Sequence, residues 1–122
     1  MNILVVDDEK DTASLFQDYL EMTGGHKVSV AYSGDEALIK VKKKKPDLII
    51  LDQMMPGLTG EQVVGELKKT KETQNIPVVI FSVADRPSYK VRKSLGVLGY
   101  LAKPIDFSKL KQIVAQVQKE SN

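Results

Sequence analysis

Apolar and polar positions along the chain fall into two alternating patterns. Short runs of branched apolar side chains recur five times, and they are separated by longer segments in which apolar residues recur at helical spacing. Three of the short runs are unbroken, which is typical of strands in a parallel sheet that is covered on both faces. We predict β-strands over residues 3–6, 28–31, 48–51, 78–81 and 98–101.

The longer segments predict amphipathic α-helices, because their apolar residues would form one stripe. Strands that alternate with helices favour right-handed crossovers and an open, twisted sheet with helices on both faces. A closed barrel would need about eight strands. We therefore predict one α/β domain over residues 1–122, with a five-stranded parallel sheet and five helices. The helices are predicted over residues 12–22, 34–44, 59–71 and 106–119, and a weaker pattern predicts one over 87–95.

Composition narrows the classes of protein and site. The chain has 122 residues, of which 42% are hydrophobic and 28% charged, as in ordinary globular domains. It has no cysteine and one histidine, which excludes disulfides, thiolate metal sites and paired-histidine zinc sites. That histidine, His26, precedes the second predicted strand, where we expect an exposed loop residue. Neither a secretory signal nor a membrane-spanning apolar run is visible, so we expect a cytoplasmic protein.

Polar side chains capable of chemistry follow four of the five predicted strands. The carboxyl ends of parallel strands meet at one edge of a sheet, where α/β proteins bind ligands, so these side chains should converge in one crevice. A lone aspartate at a strand end usually only forms a turn or caps a helix, but this set comes from separate strands. Its members are Asp7 and Asp8 after the first strand, Asp52 after the third, Ser82 after the fourth, and Lys103 with Pro104 after the fifth.

Carboxylates dominate the predicted crevice. Two carboxylates about 4 Å apart repel by on the order of 4 kcal/mol at an effective dielectric constant of about 20, and the single ammonium of Lys103 cannot balance three of them. The cluster must therefore bind a proton in part or hold a cation. Carboxylate oxygens without imidazole or thiolate select Mg²⁺ or its substitute Mn²⁺, and Mg²⁺ leaves positions open for a phosphoryl oxygen. The residues alone indicate a metal site suited to phosphate.

These residues resemble the dispersed signature of receiver domains of two-component response regulators, of the kind found in chemotaxis regulators. The resemblance covers essentially the whole chain. It implies a flavodoxin-like fold with strand order 2-1-3-4-5, an order that the alternation of strands and helices does not specify. The signature consists of Asp7-Asp8, the segment LIILD that ends in Asp52, Met55-Pro56 with Gly60, Ser82, and Lys103-Pro104.

The resemblance implies that Asp52 is the phosphorylation site. Its carboxylate would take a phosphoryl group from the phosphohistidine of a sensor histidine kinase or a histidine phosphotransfer protein. Asp8, Asp52 and the backbone carbonyl of Met54 would bind Mg²⁺, and Asp7 would act chiefly through bound water. The chain would then catalyse only its own phosphorylation and dephosphorylation, and it would not be an enzyme for another substrate.

A conformational switch is also implied by the resemblance. Lys103, with a cis bond to Pro104, would pair with one phosphoryl oxygen, and the Ser82 hydroxyl would bond to another. Phosphorylation adds a charge of roughly −2 at Asp52, which would draw Ser82 inward. The aromatic side chain on the fifth strand, Tyr100, would then move from an exposed to a buried position.

The sequence departs from the family pattern beside the phosphoacceptor. Gln53 stands where an apolar residue is more usual, so we expect different packing there. Met54 and Ala84 occupy positions that tune hydrolysis of the acyl phosphate in the family. Neither side chain can orient a hydrolytic water, so we expect no unusually fast loss of phosphate.

Charge is divided unequally between the two parts of the chain. Residues 1–81 hold 10 Lys/Arg against 13 Asp/Glu, and residues 82–122 hold 8 against 3. The resemblance implies that the phosphodonor docks near the acidic first helix. The fourth helix, fifth strand and fifth helix would signal to a downstream protein or a fused output domain, with a phosphorylation-dependent dimer as a further option. We expect neither nucleic acid nor membrane as a direct partner, and either a stand-alone receiver or part of a longer regulator.

Other functions would use part of the same pattern. A pseudo-receiver would serve only as an interaction module, although all five polar groups are present. A phosphatase with Asp52 as nucleophile would need an aspartate where Met54 stands. An FMN protein of the flavodoxin type would need a phosphate-binding loop rich in Ser, Thr and Gly after the first strand, where Asp7-Asp8-Glu9 would repel phosphate unless a metal intervened.

Overall fold

Five parallel strands form a single sheet in the computed structural model of the chain, which describes residues 1–82 and 96–121. The strand order is β2-β1-β3-β4-β5, so the flavodoxin-like order implied by the family resemblance is confirmed. Each predicted strand is present, with one or both bounds shifted by one residue. The strands are β1 (Asn2–Val6), β2 (Lys27–Ala31), β3 (Leu48–Asp52), β4 (Val78–Ser82) and β5 (Gly99–Ala102).

Four helices cover the sheet in the described part of the chain, and the predicted helix over 87–95 lies outside the described residues. The four are α1 (Lys10–Gly24), α2 (Gly34–Lys43), α3 (Gly60–Leu67) and α4 (Phe107–Ser121). α3 ends four residues before its predicted end. The Thr73 hydroxyl donates to the carbonyl of Leu67 there, and such a side-chain bond offers the backbone an alternative to a further helical turn.

The sheet separates two apolar layers. α1 and α4 pack on one face with Phe16, Leu20, Leu110 and Val114 buried against the sheet. α2 and α3 pack on the other face around a second buried cluster. Both faces are therefore covered, which explains why the central strands are apolar without alternation. Within residues 1–82 and 96–121, no helix combines the length and the apolar character that a membrane crossing requires.

Strand register brings the carboxyl ends of the strands into line. Val6 of β1 lies opposite Leu51 of β3, Asp52 lies opposite Phe81 of β4, and Ser82 lies opposite Ala102 of β5. The carboxyl ends of β1, β3, β4 and β5 thus lie along one edge of the sheet, as the sequence predicts.

His26 is buried, and the expectation of an exposed loop residue is wrong. β1 and β2 pair from Asn2 and Lys27 onward, so the chain start lies beside His26, where the N-terminal amine of Met1 is 3.1 Å from Nδ1. The ring also packs closely on Gly24, where an added Cβ would come within 2.3 Å of Nε2. Burial, together with the positive amine, lowers the pKa of His26 from its usual value of 6.5.

The lowered pKa of His26 makes the free energy of unfolding depend on pH. As pH falls below about 6.5, the unfolded chain takes up the proton before the folded chain does, so this contribution to stability is lost on acidification. We expect wild type to lose more stability between pH 7.5 and 5.5, in urea unfolding, than His26→Gln does. Other titrating groups are shared, so the difference isolates His26, and parallel pH profiles would contradict the assignment.

Candidate functional site

Three carboxylates converge at the carboxyl edge of the sheet. Asp7 and Asp8 follow β1, and Asp52 is the last residue of β3. One carboxylate oxygen from each lies within 4.8 Å of the other two. Asp7 and Asp52 are buried, with Asp52 only 2% exposed, whereas Asp8 faces solvent. The crevice inferred from the strand ends is therefore present.

Lys103 reaches the same carboxylates from the loop after β5. Its Nζ lies 3.4 Å from Asp52 Oδ1 and 5.1 Å from the centre of the Phe81 ring. Its backbone N–H donates to the carbonyl of Ser82, which ends β4 beside it. The peptide bond between Lys103 and Pro104 is cis. Lys103 and Ser82 thus lie at the same edge of the sheet as the carboxylates.

Met54 contributes to the site through its backbone. Its N–H donates to Asp52 Oδ1 over 3.3 Å, while its side chain is 59% exposed. The predicted partner position Ala84 lies outside the described residues. The contact of Met54 with Asp52 is therefore made by the backbone, and its thioether side chain faces solvent.

Burial controls the electrostatics of the two inner carboxylates. The pKa of Asp7 is raised to about 6, chiefly by desolvation and in part by the nearby charge of Asp52. The N–H of Glu9, which donates to Oδ1 of Asp7, opposes this rise. Desolvation also raises the pKa of Asp52, and the positive charge of Lys103 opposes that rise. The single ammonium of Lys103 therefore offsets only part of the free-energy cost of burying these charged carboxylates.

A divalent hard cation fits this arrangement. In the described part of the chain, Asp7 Oδ2 is fully buried and has no hydrogen-bond partner, which is costly for a carboxylate unless something else satisfies it. The three clustered side chains offer only carboxylate oxygens, which Mg²⁺ and Mn²⁺ prefer. The donor set thus matches the metal inferred from the sequence.

Gln53 has a structural role that the sequence analysis missed. Its side-chain Oε1 accepts the N–H of Glu61 at 2.8 Å, and its backbone carbonyl accepts the N–H of Gly60 at 3.0 Å. These two hydrogen bonds hold the start of α3 directly beside Asp52. Thr59 and Gln62 complete the helix start as a capping box, a Thr-x-x-Gln signal that was readable in the sequence.

Gly60 allows the close approach of α3 to the end of β3. A Cβ at this position would lie 2.8 Å from the backbone oxygen of Asp52, whereas a Cβ at Gly65 in the same helix would meet nothing within 4 Å. We expect Gly60→Ala to lower the free energy of unfolding by about 1–3 kcal/mol, because the backbone must shift. Gly65→Ala should raise it by up to about 1 kcal/mol through helix propensity. Urea unfolding of both variants tests the contrast, and equal effects would contradict it.

Tyr100 is buried on β5, only 6% exposed, within the core that α2 and α3 cover. Its hydroxyl is 3.4 Å from Glu61 Oε1, at the start of α3. The exposed starting position expected for Tyr100 is thus not the one in this structure. Packing against α3 holds the ring inward, and that contact could not be read from the position of Tyr100 in the chain.

Comparison with known families agrees with this geometry. A family model described as the response regulator receiver domain matches residues 3–115. The chain belongs to this family. Protein PilH of Pseudomonas aeruginosa is 38% identical to this receiver over 105 residues, which cover 85% of this chain and 86% of PilH.

Other relatives are longer than this receiver. The alkaline phosphatase synthesis transcriptional regulatory protein PhoP of Bacillus subtilis is 41% identical over 103 residues, which cover 84% of this chain but only 42% of PhoP. The receiver fold therefore occurs both in relatives of similar length and in longer transcriptional regulators.

Solved structures share the fold over nearly the whole receiver. The receiver domain of a Francisella response regulator superposes with a TM-score of 0.88 at 32% identity, covering 99% of this chain and 98% of that one. The response regulator TrrA of Thermotoga maritima, in complex with Mg²⁺ and BeF, superposes with a TM-score of 0.83 at 31% identity, covering 95% and 97%.

Proposed function

We propose that this receiver accepts a phosphoryl group on Asp52 from the phosphohistidine of a sensor histidine kinase or a histidine phosphotransfer protein. The observation that carries the proposal is the setting of Asp52, a buried carboxylate 3.4 Å from the Lys103 ammonium and clustered with Asp7 and Asp8. A carboxylate oxygen of Asp52 attacks phosphorus, and the bond from phosphorus to the histidine nitrogen breaks with its electron pair going to the ring. The chain acts on no other substrate in this scheme.

Asp8, Asp52 and the Met54 carbonyl would hold Mg²⁺ or Mn²⁺, with Asp7 contributing chiefly through water. When bound, the ion neutralises charge on the transferred group and aligns it. The unpartnered Oδ2 of Asp7 supports a cation at this position. The complex of TrrA with Mg²⁺ and BeF supports the same choice of metal.

Lys103 and Ser82 would act on the phosphoryl oxygens. Lys103 already lies against Asp52 and needs little movement to pair with a second anion. Preorganised donors of this kind stabilise charge as it develops during transfer. The Ser82 hydroxyl would donate a hydrogen bond to another phosphoryl oxygen. Tyr100 would occupy its buried position in that phosphorylated state.

The phosphodonor would approach along α1. A cavity of about 430 Å³ lies beside Lys103, between α1 and the loop that leads to α4, and Leu15, Phe16 and Ile105 line it.

The output signal would leave through β5, the helix that follows it and the segment before β5, toward a partner protein or an attached domain. A cytoplasmic location follows if the donor is a sensor kinase.

Intact-protein mass spectrometry tests the proposal. Acetyl phosphate with Mg²⁺ should add one phosphoryl group to wild type and to Asp18→Asn, an exposed carboxylate on α1, and none to Asp52→Asn. Omission of Mg²⁺ should prevent the addition. An adduct that persists in Asp52→Asn, or no adduct in wild type with fresh phosphodonor, would contradict it.

A further inference from the structure

Side chains from the two ends of α3 contact the segment that leads into β5. At the start of α3, Glu61 Oε1 lies 3.4 Å from the hydroxyl of Tyr100, which is 39 positions away in the chain. At its end, Nζ of the C-cap residue Lys68 donates to the carbonyl of Gly96 over 3.3 Å, across 28 positions. Residues 96–100 are thus held at two points by one helix.

Lys68 meets this segment at a sharp turn of the chain. Gly96 has a φ of 65°, in the left-handed region that glycine adopts most readily, and a Cβ there would lie 3.4 Å from both Cε and Nζ of Lys68. The same Nζ donates to the Gln74 carbonyl at 2.7 Å, so Lys68 joins two loops. Its neighbour Lys69 instead forms an exposed ion pair with Glu66. The contact is therefore particular to Lys68.

The start of α3 is also tied to the end of β3. Gln53, directly after Asp52, accepts the N–H of Glu61 at 2.8 Å through Oε1 and the N–H of Gly60 at 3.0 Å through its carbonyl. A Cβ at Gly60 would lie 2.8 Å from the backbone oxygen of Asp52, which leaves no free space between helix and strand. Because close-packed elements transmit displacements, a shift of the backbone beside Asp52 should move the start of α3.

A shift at the start of α3 should also reach its other end. The helix has eight residues, a length of about 12 Å, and a capping box closes its first turn. Val63, Val64 and Leu67 are buried against the sheet and α2 layer. A short helix with its first turn capped and its apolar face buried moves as one body, so Glu61 and Lys68 should move together.

We propose that α3 couples the phosphoacceptor site to residues 96–100. Gln53 is the contact on the side of Asp52, and Glu61 and Lys68 are positioning residues on the other side. This inference rests on the proposed function, because it describes how a change at Asp52 would reach the segment before β5. The route through α3 is separate from the one through Ser82. It requires no movement of the Tyr100 ring between exposed and buried positions.

Amide hydrogen exchange tests the contact of Lys68 without metal or phosphodonor. The N–H of Leu98 donates to the Val78 carbonyl at 2.7 Å, and its protection should fall about threefold in Lys68→Met, which keeps the apolar stem but loses the donor. Lys68→Arg keeps a charged donor and should restore protection. Lys69→Met removes only an exposed ion pair and should stay within about twofold of wild type. Equal losses in both methionine variants, or an equal loss at Ile50 in the core, would overturn the role of Lys68.

Mg²⁺ with beryllofluoride, an analogue of the phosphoryl group, tests the coupling in ¹⁵N-labelled protein. In wild type the amide signals of Met54 and of residues 96–100 should shift together. In Gln53→Leu and in Glu61→Ala the shift at Met54 should remain, while the shifts at 96–100 should fall about twofold or more. Glu61→Gln keeps an oxygen that accepts the tyrosine hydroxyl and should restore them. Glu66→Ala, on the same helix, should behave as wild type.

The outcomes of this titration separate the coupling from the proposed function. Absence of shifts at both Met54 and residues 96–100 in wild type would contradict the phosphoacceptor proposal itself. A shift at Met54 without one at 96–100 would refute the coupling alone. Shifts of full size at 96–100 in both Gln53→Leu and Glu61→Ala would also refute it, because the signal would then bypass α3.

Discussion

Lys103→Met is expected to slow phosphorylation of Asp52 by acetyl phosphate by about 100-fold or more, the cost of removing one preorganised charged donor from an active site. The methionine keeps most of the side-chain volume beside Phe81 but leaves Asp52 without the ammonium now 3.4 Å away. Loss of that charge should also raise the pKa of Asp52 further, because Lys103 currently opposes the effect of burial.

The affinity for Mg²⁺ shows whether Lys103→Met has lost a catalytic group or the structure of the site. Removal of a positive charge should leave Mg²⁺ affinity unchanged or tighter, as measured by calorimetry, while transfer slows. Lys109→Met, at an exposed position on α4, should transfer normally. Parallel loss of transfer and metal affinity in Lys103→Met would mean that Lys103 only maintains the structure.

Asp7→Asn is expected to raise the free energy of unfolding without metal by about 1–3 kcal/mol at pH 7.5. Asp7 is fully buried, its Oδ2 has no partner among the described residues, and burial raises its pKa to about 6. The folded state therefore favours the protonated acid, so ionisation destabilises it progressively above pH 3.8, and the full penalty is present above about pH 6. A neutral amide avoids that penalty and can still accept the N–H of Glu9.

Urea unfolding with and without Mg²⁺ tests the expectation for Asp7. The stability gain should be present at pH 7.5 and small near pH 4, and added Mg²⁺ should stabilise the variant less than wild type. Asp8→Asn is the matched control, because Asp8 belongs to the same cluster but is exposed. It should weaken the metal response without a comparable gain. An equal gain at both pH values would exclude ionisation as the cause.

Much of the fold was predictable because buried apolar residues follow a regular pattern in the sequence of each strand and helix. Strands buried on both faces, such as Leu48–Asp52, are continuously apolar, and helices such as α4 repeat their apolar residues at helical spacing. The end of α3 was not predictable from this period, because a threonine hydroxyl competes for its last carbonyls. Strand order came only with the family resemblance, since local patterns carry no information on which strands pair.

The candidate site was likewise predictable only in part. Asp7, Asp8, Asp52 and Lys103 could be assigned to one crevice from sequence, because parallel strands must present their carboxyl ends at a common edge. Gln53, whose side chain caps α3, was recognised only as unusual, because its partner Glu61 lies eight residues away across a loop. The contact between Tyr100 on β5 and Glu61 on α3 joins residues thirty-nine positions apart in the chain.

The sequence by itself determined the type of each described element, the polar residues at the strand ends and the preference of the site for an oxygen-bound cation. These properties follow from side-chain chemistry and from periods of two to four residues. Tertiary structure alone decided the burial of His26 against the chain start, the inward position of Tyr100 and the contact of Lys68 with Gly96. Each of these depends on surfaces that are distant in sequence and meet only when the sheet and its two helical layers assemble.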